Sequence, residues 1–138
     1  MSKILLVGKN ESFLHQCAEK LRWLDHKVFI HNDVMNGLRE MLVSDVSCIV
    51  WDVEVNDQER IRKYRAIKRY HRYTPLIIID DNKEAYQDED LDHDTVIRIN
   101  NPRVEDVVHQ VIDAITDDKI LSDEDRLDRL EKEFGLFD

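Results

Sequence analysis

Asp52 closes a short apolar run, Cys48-Ile49-Val50-Trp51-Asp52. A carboxylate that ends a buried parallel strand stands where open α/β sheets place ligands and chemistry. Similar runs lie to either side in the chain. One is Lys3-Ile4-Leu5-Leu6-Val7, followed by Gly8-Lys9; the other is Pro75-Leu76-Ile77-Ile78-Ile79-Asp80. If the three are neighbouring parallel strands, Lys9, Asp52 and Asp80 share one sheet edge. An aspartate there can join other carboxylates around a cation. Mg²⁺ requires hard oxygen ligands. Asp52, Asp80 and Asp81 are the carboxylates that such a metal site would use, and Lys9 opposes it. Lys9 is instead expected to pair with Asp52 and hold it ionised.

Other chemistries find less in the sequence. The six histidines (15, 26, 31, 71, 93 and 109) show no ligand spacing with cysteine or acid. Glycine occurs only at 8, 37 and 135, which excludes a dinucleotide fingerprint and a P-loop. No nucleophile–histidine arrangement emerges, so no catalytic residue is assigned and the chain is expected not to be an enzyme. Cys17 and Cys48 fall within a predicted helix and strand, as buried reduced thiols would.

The elements that position these residues follow from periodicity. Strands are predicted at 3–7, 27–30, 48–52, 75–80 and 95–99, nearly continuous in apolar residues as strands covered on both faces are. Between them lie helical stripes. The first is Leu14, Cys17, Ala18, Leu21 and Leu24, capped by Asn10 or Ser12. The second is Val34, Leu38, Met41 and Leu42, capped by Asn32 or Asp33. The third begins at Asn56-Asp57 and turns Ile61, Tyr64, Ile67 and His71 inward. Residues 81–94 are acidic and weakly patterned, a short helix or a loop. A last core helix carries Val104, Val107, Val108, Val111, Ile112 and Ile115. This alternation predicts a flavodoxin-like (βα)5 doubly wound parallel sheet with strand order 2-1-3-4-5. It occupies residues 1–116. Residues 117–138 form an amphipathic helical extension, with Ser122 and Asp125 as a capping box and a stripe of Leu127, Leu130 and Phe134. A helix this short needs a surface, either on its own domain or on a partner or second copy.

Charge bounds the partners. The 138-residue chain carries a net charge of −10, which disfavours binding of nucleic acid or anionic membrane across its whole surface. No apolar run is long enough to cross a membrane and no secretory leader is apparent, so a cytoplasmic location is expected. Residues 60–72 hold seven positives and no acid, which leaves −17 for the rest of the chain. That run is either a solvated outer face or a docking surface for an acidic partner, the acidic parts of a second copy included.

Residues 2–116 resemble the receiver domain of two-component response regulators. The resemblance rests on the five βα units, on Asp52 ending the third strand and on Asn101-Pro102 after the fifth. It implies that Asp52 holds the position of the phosphoacceptor. In that family an acidic pair after strand one holds Mg²⁺; Gly8 and Lys9 stand there. A Thr or Ser ends strand four and senses the phosphoryl group; Asp80 stands there. A Lys precedes the proline after strand five; Asn101 stands there. The aromatic switch position falls on Arg98 or Ile99. Gly8, Lys9, Asp80 and Asn101 thus make a degenerate pocket around Asp52, with Mg²⁺ binding weak or absent and no other cofactor expected. The resulting expectation is a stand-alone pseudo-receiver that acts by contact with a signalling protein, with a homodimer possible. Two rivals remain: a phosphorylatable single-domain response regulator with an unusual pocket, and a small ligand- or metal-sensing domain.

Overall fold

Five parallel strands form the sheet: β1 (Lys3–Val7), β2 (Lys27–His31), β3 (Cys48–Asp52), β4 (Leu76–Ile79) and β5 (Val96–Ile99), in the order β2-β1-β3-β4-β5. The computed structural model describes residues 2–43, 45–54, 57–80 and 95–120. The acidic stretch 81–94 and most of the amphipathic extension lie outside the described residues, as do Asn56 and Asp81. The predicted strand order is the observed one.

The register aligns the ends of the strands. Val7 is level with His31 and with Trp51, and Asp52 is level with Ile79. One more residue along each chain therefore brings Gly8, Asp52 and Asp80 to a common edge.

Helices α1 (Glu11–Trp23) and α4 (Val104–Ile120) cover one face, and α2 (Val34–Val43) and α3 (Arg60–Tyr70) cover the other. Alternate residues of each strand feed the two layers. Ile4, Leu6, Val50 and Ile77 meet Leu14, Leu21, Val107 and Val111. Leu5, Ile49, Trp51 and Ile78 meet Leu38, Met41, Tyr64 and Ile67. Full burial of each such side chain stabilises the fold by about 1.5–3 kcal/mol relative to exposure. Gly37 lets α2 lie close on the sheet, since a Cβ there would come 3.0 Å from Val7 Cγ2.

The starts of α1 and α2 follow the predicted caps. Asn10 Oδ1 accepts from the Phe13 amide (3.3 Å), and Asp33 Oδ1 from the Asn36 amide (2.9 Å). Other boundaries differ from expectation: α3 begins at Arg60 rather than at Asn56-Asp57, and it ends at Tyr70, so that His71 lies past the helix. Leu24 is not in the core but half exposed, because α1 ends at Trp23 and the chain turns through Asp25 at φ 68°. Helix α4 runs past Thr116 to Ile120, the last of the described residues.

Candidate functional site

The C-terminal edge carries a small open pocket with about 30 Å³ of room, enough for a water or a small ion. Asp52 lies in it beside Gly8, Lys9, Asp33, Glu54, Asp57 and Lys63. Trp51 forms part of its wall and is 2% exposed, since the side chain before Asp52 points into the α2–α3 layer. Burial pushes the Asp52 carboxyl above its ordinary value.

Lys9 does not go to Asp52. Its Nζ lies 3.2 Å from Glu54 Oε2, with both side chains more than half exposed. The expected Lys9–Asp52 pair is therefore replaced by a rim pair. Glu54 is the more exposed of the two carboxylates, and a lysine that pairs there keeps its ammonium hydrated. A second rim pair joins Lys63 Nζ to Asp57 Oδ2 at 2.6 Å. Burial alone would raise the Asp57 carboxyl, but the hydrogen bonds from Lys63 and the Glu59 amide outweigh it and hold the carboxyl below its usual range. The two lysines of the pocket are thus engaged with Glu54 and Asp57.

Gly8 abuts Asp52 directly. A Cβ at position 8 would sit 2.8 Å from Asp52 Cβ and 3.0 Å from the Asp52 carbonyl oxygen. The Gly8 amide also donates to His31 O at 3.0 Å, which extends the β1–β2 ladder by one bond and fixes the backbone in place. No carboxylate fits at position 8 without movement of β1 or β3. Mg²⁺ does not suit the donors closest to Asp52: Gly8 supplies no carboxylate and Lys9 a positive charge, while Glu54 and Asp57 in the same pocket are engaged with Lys9 and Lys63. Among the described residues no three acid, histidine or cysteine side chains converge as metal ligands.

Asp80 is drawn inward from the edge. Its side chain is 1% exposed and takes both oxygens to one nitrogen of Arg60, at 3.1 Å and 3.0 Å from Nη1. Arg60 is itself buried; its Nε donates to Asp57 O at 2.8 Å and its Nη2 reaches Glu54 O at 3.4 Å. From the other side Arg98 Nη1 donates to Asp80 O at 2.7 Å. Asp80 is therefore engaged with Arg60 and unavailable to the three-aspartate metal site. Asn101 is exposed and takes a left-handed backbone conformation (φ 46°), which asparagine tolerates better than most residues. It does not line the pocket of Asp52.

Arg60 is the residue that the sequence reading passed over. It is the first residue of a basic run read as outer surface, yet it faces inward. The signal was present: an aspartate ending a wholly apolar strand needs a cation, and a right-handed β3-α3-β4 crossover starts α3 above the ends of β3 and β4. Lys68 is also used structurally, with its Nζ on Thr95 Oγ1 (2.9 Å) and Arg72 O (3.0 Å). The basic run is thus partly internal wiring. Both cysteines are buried and outside any disulfide, as expected, and burial followed by the Asp52 charge pushes the Cys17 thiol up to about 11.

Solved structures share this fold. A response regulator receiver domain protein from Clostridium thermocellum superposes with a TM-score of 0.70 at 17% identity, covering 88% of this chain and 100% of that one. The chain has the receiver-domain fold. A CheY-like receiver domain protein from Methanospirillum hungatei JF-1 matches the same share of this chain and 99% of its own (TM-score 0.72, 13% identity). A protein described as adenylate cyclase from Rhodopirellula baltica matches 93% of this chain and 97% of its own (TM-score 0.74, 18% identity). No protein-family model and no curated protein matches the sequence. Within the receiver fold, Asp52 occupies the end of β3, Gly8 and Lys9 the turn after β1, Asp80 the end of β4, and Asn101 the turn after β5. Among the described residues no helix is long and apolar enough to cross a membrane.

Proposed function

We propose that this chain is a degenerate receiver domain, a phosphorylation-independent interaction module of two-component-type signalling in the cytoplasm, with no catalytic residue of its own. The observation that carries this reading is the Arg60–Asp80 bridge. In the receiver family the residue at that strand end is a small hydroxyl that shifts to meet the phosphoryl group. Here it is a carboxylate held by a buried guanidinium, and Arg98 holds its backbone. That pairing favours one arrangement of the Asp80 carboxylate, which supports a domain that acts without a phosphoryl-dependent switch. The crowding at Gly8 supports the same reading, because the metal that would neutralise an incoming phosphoryl group lacks its acidic pair. The partner is a signalling protein that reads a fixed face.

The test is incubation of the full chain with acetyl phosphate and Mg²⁺, followed by intact mass. The expected result is no covalent phosphate and no change in Trp51 emission. A phosphate adduct that disappears in Asp52→Asn would replace this reading with that of a phosphorylatable response regulator.

A further inference from the structure

Seven positive residues lie between 60 and 72, and three of them are used inside the domain. Arg60 holds Asp80, Lys63 holds Asp57, and Lys68 reaches Thr95 Oγ1. The other four, Arg62, Arg65, Arg69 and Arg72, are exposed. At 3.6 residues per turn, positions 62, 65 and 69 fall within about 60° of one another on α3, opposite the Tyr64 and Ile67 that face the sheet. Helix α3 contains no acid. Glu59, just before it, comes to 3.7 Å from Arg62, whose side chain is still 84% exposed. Past the helix end, Lys68 Nζ donates to Arg72 O, which ties Arg72 and Tyr73 back to the last turn. Two tyrosines complete the surface there. Tyr70 is 60% exposed and Tyr73 38%, with the Arg69 and Arg72 guanidinium groups 5.8 Å and 5.9 Å from their ring centres.

We propose, on the reading of the chain as a contact module, that the outer face of α3 docks an acidic segment of a partner protein. A face kept only for solubility mixes charges of both signs; this one shows a single sign in four arginines. Arginine and tyrosine are residues that protein interfaces concentrate, whereas lysine is depleted there. Both lysines of the run are turned to internal partners, and only arginines are left outside. Each guanidinium offers a fixed fork of donors to a carboxylate, and the exposed ring beside it offers apolar area. The matching segment therefore carries several Asp or Glu with an apolar side chain next to them. Charge also selects against nucleic acid. The residues outside 60–72 sum to −17, which repels a continuous polyanion but leaves room for a short acidic segment confined to α3.

The probe is a fluorescein-labelled glutamate peptide with interspersed phenylalanines, followed by anisotropy with the full chain at low salt. Binding should saturate, and it should weaken as salt is raised. Arg62→Ala/Arg69→Ala should weaken it about tenfold. Arg39→Ala/Arg103→Ala removes the same charge from exposed positions elsewhere and should weaken it by no more than about twofold. Tyr70→Ser/Tyr73→Ser should weaken it about threefold, through lost apolar contact. No saturable binding, or equal losses in the two arginine doubles, would overturn the proposal; the acetyl phosphate experiment reads Asp52 separately, so the two failures are told apart. Tighter binding of a single-stranded RNA than of the peptide, lost in Arg62→Ala/Arg69→Ala, would overturn it in favour of nucleic acid. A dimer mass in sedimentation that reverts to monomer in the same variant would overturn it in favour of a second copy.

Discussion

Two neighbouring strand ends carry an aspartate each, and their fates differ. Asp80, at the end of β4, is sealed: a buried guanidinium takes both of its oxygens and the core closes over it. Asp52, at the end of β3, stays in an open pocket whose lysines have turned to Glu54 and Asp57. One carboxylate is neutralised by a buried guanidinium; the other is pushed above its ordinary range by burial. The contrast shows how a sheet edge can keep the outline of a reactive site while its electrostatics have moved one strand over.

The largest effect should come from breaking the sealed end. Arg60→Ala leaves Asp80 buried without its cation and should cost about 3–5 kcal/mol in urea unfolding. The double change Arg60→Met/Asp80→Leu should recover most of that loss. If the single change is mild, the bridge does not hold β4 and the contrast fails. Next, Gly8→Ala should cost about 1–3 kcal/mol, because the methyl meets Asp52 Cβ at 2.8 Å. Gly8→Asp should be at least as harmful and should not create Mg²⁺ affinity, as followed by Trp51 fluorescence.

Asp52→Asn sharpens the other side of the comparison. The folded-state pKa of Asp52 lies above its unfolded value, so the folded state binds the proton more tightly. The ionised carboxyl therefore destabilises the fold at neutral pH, and that penalty fades as pH falls through the folded pKa towards the unfolded one. Asp52→Asn should raise Tm at pH 7, with the gain shrinking in acid; a Tm lowered at pH 7 would mean that a favourable partner had been removed. The smallest effect is expected at the rim. Lys9→Ala should change stability by no more than about 0.5 kcal/mol and should leave the NMR titration of Asp52 where it was. A displaced titration would restore the Lys9–Asp52 pair.

The fold was legible because each strand is apolar nearly throughout and each helix has one stripe, so the two layers and the strand order follow from alternation alone. The caps at Asn10 and Asp33 were legible for the same local reason. The site was legible only as positions. Asp52, Gly8 and Asp80 reach one edge as expected, but the partners of the charges depend on which way long side chains turn. Lys9 had two carboxylates within reach of its stem, and spacing does not choose between Asp52 and Glu54. Arg60 was hidden among six other positives, so composition pointed outward where the crossover geometry pointed inward. Leu24 fitted the helical stripe in sequence but fell past the helix end, where Asp25 turns the chain and periodicity no longer governs direction.

The crowding at Gly8 also bears on engineering. A designer who wishes to make this domain respond to phosphate would first think of returning an acid to position 8. The backbone that would carry it is bonded to β2 and pressed against β3, so a single substitution meets a wall rather than an empty seat. Any workable route has to begin elsewhere, by resetting how β1 leaves the sheet, and only then add the carboxylate. The order of the changes, and not just their identity, decides whether such a path can be walked.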